Sequence, residues 1–116
     1  MAVERHEIGP RMSKAVVHGN TVYLAGIVAD SPKGKSVREQ TQDILRQIDG
    51  FLAKAGTDKS KLLSANVWIT DMANFAEMNA VWDAWVAPGN TPARATVEAR
   101  LAAPDYKVEI MVVAAK

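Results

Sequence analysis

The stretch Thr91-Pro92-Ala93-Arg94-Ala95-Thr96-Val97-Glu98-Ala99-Arg100-Leu101 carries the most informative polar residues of the chain. Pro92 fixes its own φ and biases Thr91 toward extended backbone, so the chain enters a strand stiffly at Arg94. Period-two alternation then puts Arg94 on one face with Thr96, Glu98 and Arg100. Arginine offers a planar fork of donors that can grip a carboxylate by two parallel hydrogen bonds. Two readings stay open: an anchor for a small organic acid, or an ion pair with Glu98 or Glu109. Glu109 is the second candidate. Its strand neighbours on the same face are Met111 and Val113, which cannot pair with a carboxylate. Such an acid can manage a proton or a water in an apolar cleft, or serve as charge partner to Arg94 or Lys107. If Arg94 and Glu109 meet across adjacent strands, one holds an acid while the other handles a water.

The other polar residues point to less. His6 and His18 read as solvated strand positions. Ser13, Ser60 and Ser64 lack the G-x-S-x-G setting of a serine nucleophile. Gly19, Gly26 and Gly34 do not form a phosphate-binding spacing. Trp82 and Trp85 fall at helical spacing and read as core. With no cysteine and two histidines, disulfides, thiolate zinc sites, cysteine nucleophiles and a multi-histidine metal site within one chain are all unexpected. A bound metal is not expected.

The elements that must position these residues follow from patterning. The chain has 116 residues, 48% of them hydrophobic, a length that suits one domain over residues 1–116. Fourteen Lys plus Arg against 13 Asp plus Glu leave a net charge of +1, too even to attract nucleic acid or an anionic membrane over distance. No apolar run approaches the roughly 20 residues that span a bilayer. The N-terminal MAVERHEIGP is too charged for a signal peptide, so a cytoplasmic protein is expected.

Residues 2–8 can form a short strand, and 14–18 with 21–28 a hairpin turning at Gly19-Asn20. After the loop Asp30-Ser31-Pro32-Lys33-Gly34, Ser36 and Glu39 make a capping box. A helix then runs along the stripe Val37, Thr41, Ile44, Leu45, Ile48, Phe51, Leu52, Ala55, and Gly56 ends it. Residues 62–70 alternate, with Leu63, Ala65, Val67 and Ile69 on one face. Asn74 and Glu77 predict a second capping box, opening a helix with the stripe Phe75, Met78, Val81, Trp82, Trp85 and Val86. Pro88-Gly89 stops it. Strands over 94–101 and 107–115 finish the chain around Ala103-Pro104-Asp105.

This order is α+β, a single sheet with two helices on one face. Both faces of its strands are apolar. In 21–28, Val22, Leu24 and Val28 are expected on one side and Tyr23, Ala25 and Ile27 on the other. In the last strand, Val108, Ile110, Val112 and Ala114 oppose Glu109, Met111, Val113 and Ala115. Two helices cover one face, so a monomer would expose a patch well beyond the few hundred Å² usual for soluble surfaces. The open face is therefore expected to line a homo-oligomer.

Several of these residues carry a resemblance. Pro92-Ala93-Arg94 followed by Val108-Glu109-Ile110, with Gly19-Asn20, Leu24-Ala25-Gly26 and Phe75-Ala76-Glu77-Met78-Asn79 in the same order, resembles the RidA/YjgF family over nearly the whole chain. The resemblance implies a chorismate mutase-like fold assembled as a homotrimer, with clefts between subunits. It implies hydrolysis of reactive 2-imino and 2-enamino acids to 2-oxo acids and ammonia, without a cofactor. Arg94 would bind the substrate carboxylate and Glu109 would position the water. Thr96, Ala25, Gly26 and Met12 would line the substrate site. Thr96 stands where the family often has a small polar residue or cysteine. Met12 and Ala25 stand near or at positions where many deaminating members carry a tyrosine and a serine, which implies a more apolar pocket and a shift toward bulkier or more apolar substrates. The alternative is a module of the same fold that binds small carboxylates, or stabilises other proteins, without turnover. The family's ribonuclease and translation-inhibitor labels fit poorly with the even charge and the scattered basic residues.

Overall fold

The computed structural model describes residues 1–116. Its strands are β1 (Val3–Ile8), β2 (Ser13–His18), β3 (Thr21–Leu24), β4 (Leu62–Ile69), β5 (Ala93–Glu98) and β6 (Val108–Ala115), and its helices are α1 (Val37–Lys54) and α2 (Phe75–Trp85). The strands make one sheet in the order β1-β2-β3-β6-β4-β5. Every neighbouring pair is antiparallel except β4 and β5. That parallel pair needs a crossover, and α2 supplies it. The helix α1 likewise connects β3 to β4, and β6 arrives last to fill the gap between them. The fold is α+β, with two helices on a mixed six-stranded sheet, as the patterning predicts.

Both helices bury their apolar stripes in one core. In α1 that stripe is Val37, Thr41, Ile44, Leu45, Ile48 and Leu52, packed on Val22, Val67, Ile110 and Val112 of the sheet. The capping box forms: the Glu39 amide donates to Ser36 Oγ at 3.1 Å and the Ser36 amide donates to Glu39 Oε1 at 3.2 Å. Gly56 takes φ +85° just past the helix, where a side chain would be strained. The buried Gln40 does more than pack. Its Nε2 donates to the Asp105 carbonyl and its Oε1 accepts from the Lys107 amide, both at 2.9 Å. One side chain thus ties α1 to the loop that leads into β6.

Four local expectations need correction. The box at Asn74 and Glu77 does not form, because Asp71 caps a short 3-10 turn ahead of α2 and Asn74 makes no side-chain cap. Glu77 instead accepts from the Arg38 amide at the start of α1. In β4 the ladder slips between Leu62 and Ser64, so Leu62 is buried and Leu63 is exposed. The third correction is the most consequential. The segment 21–28 is not one strand: β3 stops at Leu24, and the chain rejoins β6 through the pair Ile27 and Ile110. One extra residue lies on the β3 side between the pairs Tyr23–Val113 and Ile27–Ile110, which is a bulge. The bulge reverses the alternation, so Ile27 joins Val22 and Leu24 in the core and Val28 does not. In the same way β5 ends at Glu98 rather than Leu101, leaving Arg100 in the following loop.

Two outcomes follow for the first helix. Ser36→Ala is expected to lower the unfolding free energy by about 1 kcal/mol. The hydrogen bond from the Ser36 amide holds the Glu39 carboxyl below its usual range. Its stabilising effect is present above the ordinary carboxylate pKa and is lost as pH falls through the depressed folded value. Urea melts of wild type and Glu39→Gln should therefore differ at neutral pH and converge in acid; a constant gap would contradict this account.

Candidate active site

The register of β5 decides where Arg94 points. Its partner in β4 is Ala65, and the partner of Thr96 is Val67. Ala65 and Val67 are buried beneath the helices, so Arg94 and Thr96 lie on the helix side of the sheet. There α2 receives the guanidinium. Arg94 Nη2 donates to Asn79 Oδ1 at 2.8 Å, and Arg94 Cζ sits 5.1 Å from the centroid of the Trp82 ring. Asn79 and Trp82 are three residues apart, hence on one helical face. Trp82 was expected only as core; it is buried and is also the surface against which the cation lies.

No carboxylate pairs with this arginine. Glu98, one of its two candidate partners, accepts instead from the Met72 amide at 3.1 Å. Arg94 Nη1 and Thr96 Oγ1 are both buried without any hydrogen-bond partner. Buried polar atoms in folded proteins are nearly always satisfied. Two such atoms lie on one strand face, one of them on the cationic guanidinium.

Glu109 lies elsewhere. Its partner in β4 is Trp68, so it stands on the open face, away from the helices. Gly26 approaches it from the β3 bulge so closely that a Cβ on Gly26 would fall 2.1 Å from Glu109 Oε2. A side chain at this position would displace the flexible end of Glu109, while the backbone of Gly26 itself is not in the left-handed region. Ala25 is half-buried beside it, its amide donating to the Lys14 carbonyl at 3.0 Å. Met12 sits on the exposed loop that leads into β2.

The expected meeting of Arg94 and Glu109 across adjacent strands does not occur within one chain. β4 separates β5 from β6, and the two side chains occupy opposite faces. The predicted residues therefore form two half-sites. One is Arg94 with Thr96, joined by Asn79 and Trp82 from α2. The other is Glu109 with Gly26 and Ala25, flanked by Trp68. The three cavities of the chain lie elsewhere, and none is lined by a residue of either half-site. Asn79 and Trp82 carry no signal in the sequence beyond a helical i, i+3 pair, which also describes ordinary core.

Comparison with known proteins decides the lineage. The family model described as Endoribonuclease L-PSP matches residues 5–116. A crystal structure of a YjgF-family protein from Neisseria meningitidis superposes with a TM-score of 0.96 at 48% identity, covering 100% of this chain and 96% of that one. The chain belongs to the RidA/YjgF family. A RutC family protein of Haemophilus ducreyi is 45% identical over 113 residues, 97% of this chain and 96% of its own. More distant is a chloroplastic protein of Arabidopsis thaliana named Reactive Intermediate Deaminase A. It is 28% identical over 112 residues, covering 92% of this chain and 59% of that protein.

The contact between Gly26 and Glu109 is open to a double-mutant test. Gly26→Ala is expected to displace the Glu109 carboxylate at a small cost in stability, below the roughly 1–3 kcal/mol of core overpacking, because the clash is with the flexible end of that side chain. Combining it with Glu109→Ala should recover most of that loss, because the clashing carboxylate is gone. Additive losses in urea melts would show that the steric contact is not the cause.

Proposed function

We propose that this RidA/YjgF-family protein, a single unit over residues 1–116, is a homotrimeric deaminase. It hydrolyses 2-imino and 2-enamino acids to 2-oxo acids and ammonia. The observation that carries this reading is the uncompensated guanidinium of Arg94, braced by Asn79 and Trp82 but paired with no carboxylate. Its natural occupant is the carboxylate of a small acid. The second half-site, Glu109 against Gly26, would come from a neighbouring copy, because one chain cannot bring the two together. The open sheet face supports such packing. Val16, Tyr23, Val113 and Met111 run across it, with Tyr23 47% exposed in the isolated chain.

The chemistry asks little of the protein. An imine protonated on nitrogen is already electrophilic at C2. The substrate carboxylate is held by Arg94 of one copy, and a water is held by Glu109 of the next. Glu109 accepts a proton as the water oxygen bonds to C2 and the C=N π pair moves to nitrogen, giving a carbinolamine. Returning that proton to the amine lets the C–N bond break with release of ammonia. The remaining hydroxyl loses its proton to form the 2-oxo acid. Thr96 Oγ1, also buried without a partner, lies on the same face as the anchor and can add a hydrogen bond to the bound acid.

A second reading, carboxylate binding without turnover, has Met12 and Ala25 in its favour, since neither offers a hydroxyl to the substrate or the water. Imines made in situ by an amino-acid oxidase separate the two. Wild type should accelerate release of 2-oxo acid and ammonia. Arg94→Ala should lower kcat/KM about 10- to 100-fold, the worth of a charge-assisted hydrogen bond. Glu109→Gln should fall to the uncatalysed rate while still binding pyruvate. Saturable pyruvate binding by a wild type that releases no ammonia selects the second reading, and full activity in Arg94→Ala overturns both. Sedimentation should give a trimer mass; a monomer at assay concentration would remove the shared cleft.

A further inference from the structure

Two of the three tryptophans have partners within the chain. Trp85 Nε1 donates to Asp49, and Trp82 lies under Arg94 and against Trp85. Trp68 has no comparable role. The core side of β4 is taken by Ala65, Val67 and Ile69, so the Trp68 indole stands on the open face, half-buried and outside the core cluster. In that position it is the direct cross-strand neighbour of Glu109 on one side and of Val97 on the other. Directly opposed side chains of antiparallel strands begin about 5 Å apart, so the indole and the carboxylate share one patch of surface.

On the opposite flank Gly26 lies against the Glu109 carboxylate. A molecule presented to a water on Glu109 therefore has a broad apolar surface beside it, the indole of Trp68 continued by Val97, with Met111 next along β6 on the same face.

We propose that Trp68 is the specificity-determining residue of this site and that its indole is the platform for the substrate side chain. The favoured substrates are then 2-imino acids with branched aliphatic, thioether or aromatic side chains, over the small imine derived from alanine. This rests on the deaminase reading above. A hydrophobic platform discriminates by roughly 10- to 200-fold per well-packed increment of side chain, which sets the scale of the effect.

The test compares leucine-derived and alanine-derived imines, each made in situ by an amino-acid oxidase, with wild type, Trp68→Ala, Trp68→Leu and Trp68→Phe. Assembly of each variant is checked by sedimentation. Wild type is expected to favour the leucine-derived imine by at least about 10-fold in kcat/KM. Trp68→Ala should lose most of that preference, the leucine-derived rate falling far more than the alanine-derived one, and Trp68→Phe should keep most of it. If Trp68→Ala fails to assemble, Trp68→Leu, which fills more of the space without an aromatic plane, is read in its place. A wild type that is active on both imines without preference overturns this inference and leaves the deaminase reading standing. So does an assembled Trp68 variant that slows both imines equally. A wild type inactive on every imine overturns the deaminase reading and takes this inference with it.

Discussion

A guanidinium held half inside the protein without a counter-charge is the feature on which the proposed site depends. A charged group withdrawn from water is costly unless it is paired, and Arg94 has only a neutral amide and an aromatic face. The rest of β5 and α2 is arranged to make this tolerable. Pro92 stiffens the entry to the strand, and parallel pairing with β4 aims Arg94 at the helix. Asn79 and Trp82, one turn apart, then fix the plane of the fork. An ion pair with Glu98 would have neutralised the charge. Glu98 is engaged by the Met72 amide at the start of the turn before α2.

The second constraint is the one-sided covering of the sheet. Both crossovers, through α1 and α2, place their helices on the same face, so the opposite face of β2, β3, β6, β4 and β5 is left apolar and uncovered. Glu109 stands on that face. Its surroundings come from a single irregularity, the bulge at Ala25-Gly26, which ends β3 early and brings a glycine against the carboxylate. A regular strand would have placed Ile27 on the open face and a side chain where Gly26 now makes room. The same extra residue thus adds a core contact on one face and shapes a polar position on the other.

Much of this was legible along the chain. The stripe from Val37 to Ala55, the box at Ser36 and Glu39, and the glycine after the helix are local patterns, and all of them formed. So did the alternation of β6, which placed Glu109 opposite the core. The misplaced strand faces share one cause. Leu63, Ile27 and Val28 were assigned by strict period two, and a bulge, which has little signature beyond a glycine, shifts the phase by one. Asn74 lost the cap to Asp71 because the preceding 3-10 turn satisfies the backbone first, and short turns of that kind leave little imprint on periodicity.

The pairing of Arg94 with Glu109 is the instructive case. Residue types, spacing and facing within each strand are properties of the local chain, and they singled out both side chains. Strand order is not local. Which strand lies beside which depends on where β6 inserts, and that follows from burial of Val108, Ile110 and Val112 between β3 and β4 beneath α1. Local chain order singles out two polar groups of complementary chemistry and a sheet with one face to spare. That β4 stands between them and that they face opposite ways follows from the packed fold alone, because the same hydrophobic burial that closes the core on one side assigns every side chain its face.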